Sequence, residues 1–129
     1  MDKALQYMAL ARKAGRLAVG EENCGAAAAS GKARLLLLAS DASDNARKRA
    51  AGFLYGRRAP LVSLPWTKAE LSALLGHSGC SMVCFTDLPL AARFASAMNG
   101  DHTGWQDTAE ILARREEKAA RRKSAPRKH

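Results

Sequence analysis

Apolar positions along the chain switch between a helical and a strand-like rhythm. Over residues 3–14, Leu5, Met8, Ala9 and Ala11 mark an inner side, and Lys3, Arg12 and Lys13 lie on or near the outer one. This spacing predicts an amphipathic helix, which Gly15 ends. Arg16, Leu17, Ala18, Val19 and Gly20 alternate over a short span and predict a brief edge strand. Residues 21–29 predict a second helix. Glu21 and Glu22 suit its positively polarised start, and the rest is nearly bare of long side chains.

The run Leu35, Leu36, Leu37, Leu38 and Ala39 has no internal alternation. Such a run marks a strand covered on both faces, although a buried helix segment gives the same signal. Asp41 and Asp44 resemble a capping box with Asp in place of Glu, and Ser43 competes as the cap. The helix that follows, to about residue 55, turns Ala46, Ala50, Phe53 and Leu54 inward. Residues 61–64 predict a strand between Pro60 and Pro65. Thr67 and Glu70 form a capping box ahead of Leu71, Leu74 and Leu75, and Gly76 stops that helix. Residues 77–81 are a small polar loop, residues 82–86 the last strand. Asp87, Leu88 and Pro89 open a helix with a stripe of Leu90, Ala91, Phe94, Ala97 and Met98. Strands alternating with helices predict an α/β fold: a three-layer α/β/α sandwich around a small mixed four-stranded sheet.

The rhythm changes after residue 100. Residues 101–104 read as a linker. Residues 107–123 suit a helix by composition, but Ile111 and Leu112 are their only large aliphatic residues. The expectation is a domain over residues 1–100 and a basic extension over 101–129, helical or disordered and solvated.

Charge adds a class of partner. The formal net charge is +9. Residues 1–100 carry 13 basic against 7 acidic side chains, so the body is basic without the tail. A polyanion is the expected partner, and no helix-turn-helix or zinc pattern points to sequence-specific DNA binding. Cys24, Cys80 and Cys84 are an odd number of cysteines without the second pair that a zinc site needs. They read as free buried thiols of a cytoplasmic protein, with no metal and no cofactor. No window is apolar enough to span a membrane. His77, His102 and His129 do not combine with a carboxylate or cysteine in a nucleophile pattern, so no enzyme is expected.

Gly20-Glu21-Glu22, Ser30-Gly31-Lys32-Ala33, the segment from Leu35 through Ser43, and Val83-Cys84-Phe85-Thr86-Asp87 together resemble the L7Ae family, most closely its small bacterial ribosomal members. The segment Leu10-Ala11-Arg12-Lys13-Ala14-Gly15-Arg16-Leu17 adds to the resemblance, which covers roughly residues 3–99. It implies a non-catalytic α/β/α module, here a monomer, that binds kink-turns, RNA bent sharply beside sheared G·A pairs, with ribosomal RNA among the candidates. Some relatives carry such a domain behind another small domain in one polypeptide. The family's RNA-reading turn matches Gly20, Glu21, Glu22 and Asn23. Its polar pair stands here as Glu22-Asn23, and Ala26 occupies a position where many members carry lysine. The second contacting loop matches residues 77–82, so Ser78, Gly79, Cys80 and Ser81 are expected contacts, with Gly79 at a position often basic. Arg12, Lys13, Arg16 and Lys32 are expected to form an RNA-facing rim beside the Gly20 turn. The alternative is a protein-interaction or structural module whose RNA site has degenerated.

Overall fold

The computed structural model describes residues 2–124. In chain order the elements are α1 (Lys3–Lys13), β1 (Leu17–Val19), α2 (Glu21–Ala29), β2 (Leu35–Leu38), α3 (Asp44–Phe53), β3 (Leu61–Ser63), α4 (Lys68–Leu75), β4 (Met82–Phe85), α5 (Leu88–Asp101) and α6 (Gln106–Ser124). The strands form one mixed sheet in the order β1-β4-β2-β3. β2 and β3 are parallel, as their helical crossover requires, and β4 runs antiparallel to both β1 and β2.

The four leucines of β2 are all buried, and alternation of side chains across a strand divides them between two cores. Leu35 and Leu37 join Met8, Phe85, Phe94 and Met98 under α1, α4, α5 and α6. Leu36 and Leu38 join Cys24, Ala28, Ala46, Ala50 and Met82 under α2 and α3. This is the expected three-layer sandwich. The α2–α3 layer is thin because its contacts are alanines and cysteines. A β-carbon on Gly25 would lie 2.9 Å from Phe53 Cζ, so the small residues of α2 let α3 approach.

Several local details differ from the sequence expectation. The buried face of α1 is Ala4, Met8 and Ala11, which leaves Leu5 and Ala9 half-buried. Ser43 is the cap of α3: its Oγ accepts from the Ala46 N–H at 3.1 Å. Asp41 instead accepts from the Lys68 N–H at 2.8 Å, which ties the end of β2 to the start of α4. The Thr67–Glu70 capping box is present in both directions.

The solvated arm expected from residue 101 is corrected over its first half. Trp105 and Leu112 are buried, and the Trp105 ring meets Phe94 edge-on at 5.8 Å. Trp105, Ala109 and Leu112 recur at four- and three-residue spacing and make the stripe that α6 lays on the core. A tally of large aliphatics overlooks this stripe, because one member is aromatic and another is alanine. At the turn before it, His102 Nε2 lies 3.3 Å from Asp2 Oδ2, linking the end of α5 to the start of α1. The last five residues, with Arg127 and Lys128, lie outside the described residues.

Removing Leu112 side-chain volume therefore tests whether α6 belongs to the core. Leu112→Ala should destabilise the protein by about 2–5 kcal/mol in urea unfolding, whereas Lys118→Ala should stay within about 0.5 kcal/mol of the parent. A chain ending at residue 100 should lose stability as well.

Candidate nucleic-acid interface

Strand register brings the two expected contact segments to one end of the sheet. Val19 faces Val83 across β1 and β4, and one step further the Gly20 N–H donates to the Met82 carbonyl at 2.9 Å. On the other side of β4, the Ala39 N–H donates to the Ser81 carbonyl at 2.9 Å. The Gly20 turn and the 77–81 loop are thus neighbours. Gly20 sits at φ 92° and ψ 158° as the N-terminal flank of α2, a region that side chains strongly disfavour. The His77 ring stands against it: a β-carbon on Gly20 would lie 3.5 Å from His77 Cε1. His77 Nδ1 is buried and has no partner among the described residues. His77 was expected only as part of the loop, and the register across β4 is what gives it this place.

Glycine offers no side-chain cap, so the first turn of α2 is left open. The Cys24 N–H closes onto the Gly20 carbonyl at 3.0 Å, but among the described residues no acceptor meets the N–H groups of Glu21, Glu22 and Asn23. The three side chains have different fates. Glu21 is held by Arg49, which donates to its Oε2 from Nη2 at 3.1 Å. Asn23 Nδ2 donates to the Val19 carbonyl at 3.0 Å, which leaves Oδ1 and the second amide hydrogen. Glu22 is exposed and makes no ion pair among the described residues.

Three expected contacts are placed elsewhere. Cys80 is fully buried: its N–H donates to Ser72 Oγ at 3.0 Å, and its thiol points at the Met82 carbonyl. It supports the loop from inside, while Ser78 and Gly79 are exposed and Ser81 is half-buried. Arg16 and Lys32 do not join the Gly20 turn. The Arg16 carbonyl accepts from the Thr86 N–H at 3.0 Å, and Lys32 follows the C-terminus of α2, so both stand at the opposite end of the sheet. The reason is strand and helix direction, since β1 and α2 each carry the chain the length of the sheet. Lys13 is exposed on the last turn of α1. The charge of Arg12 is felt at Cys80, where it partly offsets the effect of burial on the thiol.

The Gly20 end is consequently rich in carboxylates. Asp41 and Asp44 follow β2 at the same end, and Arg47 balances this side by donating to the Ser40 carbonyl at 3.1 Å and to Ser63 Oγ at 2.9 Å. Grooves of about 300 Å³ and 290 Å³ lie between α1 and α5 and between α5 and α6, in the outer helical layer rather than at the Gly20 turn. The candidate site is a surface of two adjoining turns, suited to a macromolecule. Among the described residues no three His, Cys, Asp or Glu side chains gather as a metal site, and no helix is long and apolar enough to cross a membrane.

The chain is similar in structure to a solved Bacillus halodurans protein of unknown function, with a TM-score of 0.69 and 22% identity over 77% of this chain and 99% of the other. The likeness is one of fold. No family model matches the sequence, and no curated protein matches it.

The buried thiols give the protein a pH dependence. Burial pushes Cys84 up to about 11 from the ordinary 9.0, and raises Cys24 as well, reinforced by Cys84, Cys80 and Glu21. In the unfolded chain these thiols ionise near their ordinary value, while the folded protein holds their protons. The associated stability is complete below that value and is lost as pH rises through the folded one. The urea midpoint should therefore fall between about pH 8 and about pH 10.5, and the fall should be smaller in Cys84→Ala.

Proposed function

We propose that the protein is a non-catalytic RNA-binding module that reads a bent, structured RNA with the Gly20 turn and the 77–81 loop. The observation that carries this reading is the open first turn of α2. Among the described residues, three N–H donors there have no acceptor and Asn23 Oδ1 has no donor, beside the exposed carboxylate of Glu22. Backbone N–H groups suit the acceptors of a base edge or a phosphate, and a carboxylate suits base amino and imino groups. A combination of fixed donors and fixed acceptors discriminates among base edges, whereas a lysine in their place would mainly reward negative charge. The net charge of +9 supports a polyanionic partner, and the resemblance to the L7Ae family supplies the RNA class, with sheared G·A pairs exposing their edges at a bend.

Glu22 is the principal reader in this proposal. Glu21 belongs to Arg49, and Asn23 spends a donor on Val19. Gly20 holds the backbone in a conformation closed to other residues, so its replacement affects folding together with binding. A second reading, a protein-interaction module with a decayed RNA site, is favoured by one observation. Glu22 carries an unpaired carboxylate at the Gly20 turn among the described residues, and Ala26 and Gly79 add no cation to it.

Titration of the full chain against a kink-turn RNA, and against the same RNA with its G·A pairs replaced by Watson–Crick pairs, tests the proposal. A preference of about tenfold or more for the kink-turn is expected. Glu22→Ala should remove about 1–3 kcal/mol of that discrimination. Equal affinity for the two RNAs overturns the kink-turn reading, and absence of RNA binding by a folded protein favours the interaction module.

A further inference from the structure

Arg16 and Lys32, two of the four cations expected beside the Gly20 turn, stand with three further arginines at the other end of the sheet. Arg16 precedes β1 there, and Arg34 precedes β2, its N–H donating to the Phe85 carbonyl at 2.8 Å. Arg57 and Arg58 precede β3. Strand order spreads them across the whole width of the sheet, roughly 14 Å at the usual spacing of about 4.8 Å between strands. Lys32 adds a further charge at the C-terminus of α2. That helix end attracts cations: Arg57 Nη2 donates to the Ala29 carbonyl at 3.4 Å, and Arg34 Nη1 to the Gly31 carbonyl at 3.5 Å. Each guanidinium keeps most of its donors for something else.

No carboxylate within the described residues neutralises this group. The ion pairs there are Arg49–Glu21, His102–Asp2 and Arg121–Glu117, none of which includes these five residues. Asp87, at the same end, is occupied as the cap of α5, accepting from the Leu90 N–H at 2.9 Å. On α6, burial disfavours the charge of Arg115, and the nearby Arg58 adds a smaller effect of the same sign. Like charges crowded in this way are relieved by an external polyanion. Tyr55 stands beside Arg57 in the turn after α3 and is 90% exposed. An exposed aromatic ring in the same turn as Arg57 is a platform on which an unpaired base stacks.

We propose that this end of the sheet, with Arg16, Lys32, Arg34, Arg57, Arg58 and Tyr55, is a second RNA-binding surface that holds a single-stranded segment by its phosphates and stacks one base on Tyr55. It is independent of the Gly20 turn. A row of charges as wide as the sheet fits a chain of phosphates better than a single anion. The surface has no side chains arranged to read a sequence.

Labelled oligouridine of about twelve nucleotides, titrated with the full chain over a range of salt, tests this surface. Arg34→Gln combined with Arg58→Gln should reduce the salt slope of log affinity by about 1.4, at about 0.7 for each lost phosphate contact. Tyr55→Ala should weaken binding by roughly fivefold or more with little change in slope, and Tyr55→Phe should restore it. Tyr55 is exposed, so its variants fold, and circular dichroism checks the arginine pair. As the control, Lys48→Gln with Lys68→Gln removes two charges from elsewhere on the protein and should leave most of the slope in place. The proposal is overturned if Tyr55→Ala binds as tightly as the parent, or if the lysine pair lowers the slope as much as the arginine pair.

Discussion

Burial of β2 and β4 on both faces is the constraint from which the rest of the fold follows. A strand covered on one side needs one layer of helices, but four consecutive buried leucines need two. The chain supplies them unequally. One layer is built from Met8, Phe85, Phe94, Met98 and Trp105, the other mainly from alanines and cysteines. The thin layer forms because α2 carries almost nothing beyond a β-carbon on its inner side, and Gly25 lacks even that where Phe53 crosses it. At the start of α2 the missing side chain is that of Gly20, and it leaves the first turn without a cap.

Placing β4 between β1 and β2 has a second effect. An antiparallel strand in that position reverses its flanking loops relative to its neighbours, so the segment before β4 meets the segments after β1 and β2. The Gly20 turn and the 77–81 loop, far apart in the chain, become one surface with the His77 ring between them. By the same geometry, every segment that leads into β1, β2 or β3 is sent to the far end. Those lead-in segments carry Arg16, Lys32, Arg34, Arg57 and Arg58, while the segments that leave β1 and β2 carry Glu21, Glu22, Asp41 and Asp44 together with Arg47, Lys48 and Arg49. Topology thus leaves, among the described residues, an excess of unpaired cations at one end, while at the other the carboxylates share the surface with Arg47 and Arg49.

The elements themselves were legible because each has a local signature: the unbroken Leu35-to-Ala39 run, the Thr67–Glu70 box, the glycines that end helices. Local signatures also mislead where a long-range partner decides. Asp41 has the spacing of a cap for α3, yet it is the N-terminus of α4 that meets it, across 27 residues of chain. Residues 105–112 read as solvated because a stripe of Trp105, Ala109 and Leu112 is recognisable only against the Phe94 surface that it covers. The candidate site shows the same division. Gly20 and the residues after it were visible as a turn with unusual chemistry. The remote positions of Arg16 and Lys32 depended on strand direction, and the burial of Cys80 depended on Ser72, and neither property is local.

This polarity bears on how attraction and discrimination can be divided in an RNA-binding protein. A cation placed at a reading site strengthens every complex, matched or mismatched, because phosphate is present in all of them. Carboxylates and fixed N–H groups have the opposite character, since a carboxylate such as that of Glu22 repels phosphate and favours a base that presents donors. In water at ordinary salt, charges act over about 8–10 Å, so cations at the far end of a small sheet do little to relieve that repulsion directly. Their contribution is to the encounter and to whatever strand lies against them. On the proposed reading, the Gly20 end contributes selectivity at the expense of raw affinity, and the opposite end restores affinity without affecting the choice. On the same reading the two roles are separable, because the Gly20 turn and the Arg34 end lie at opposite ends of the same strands.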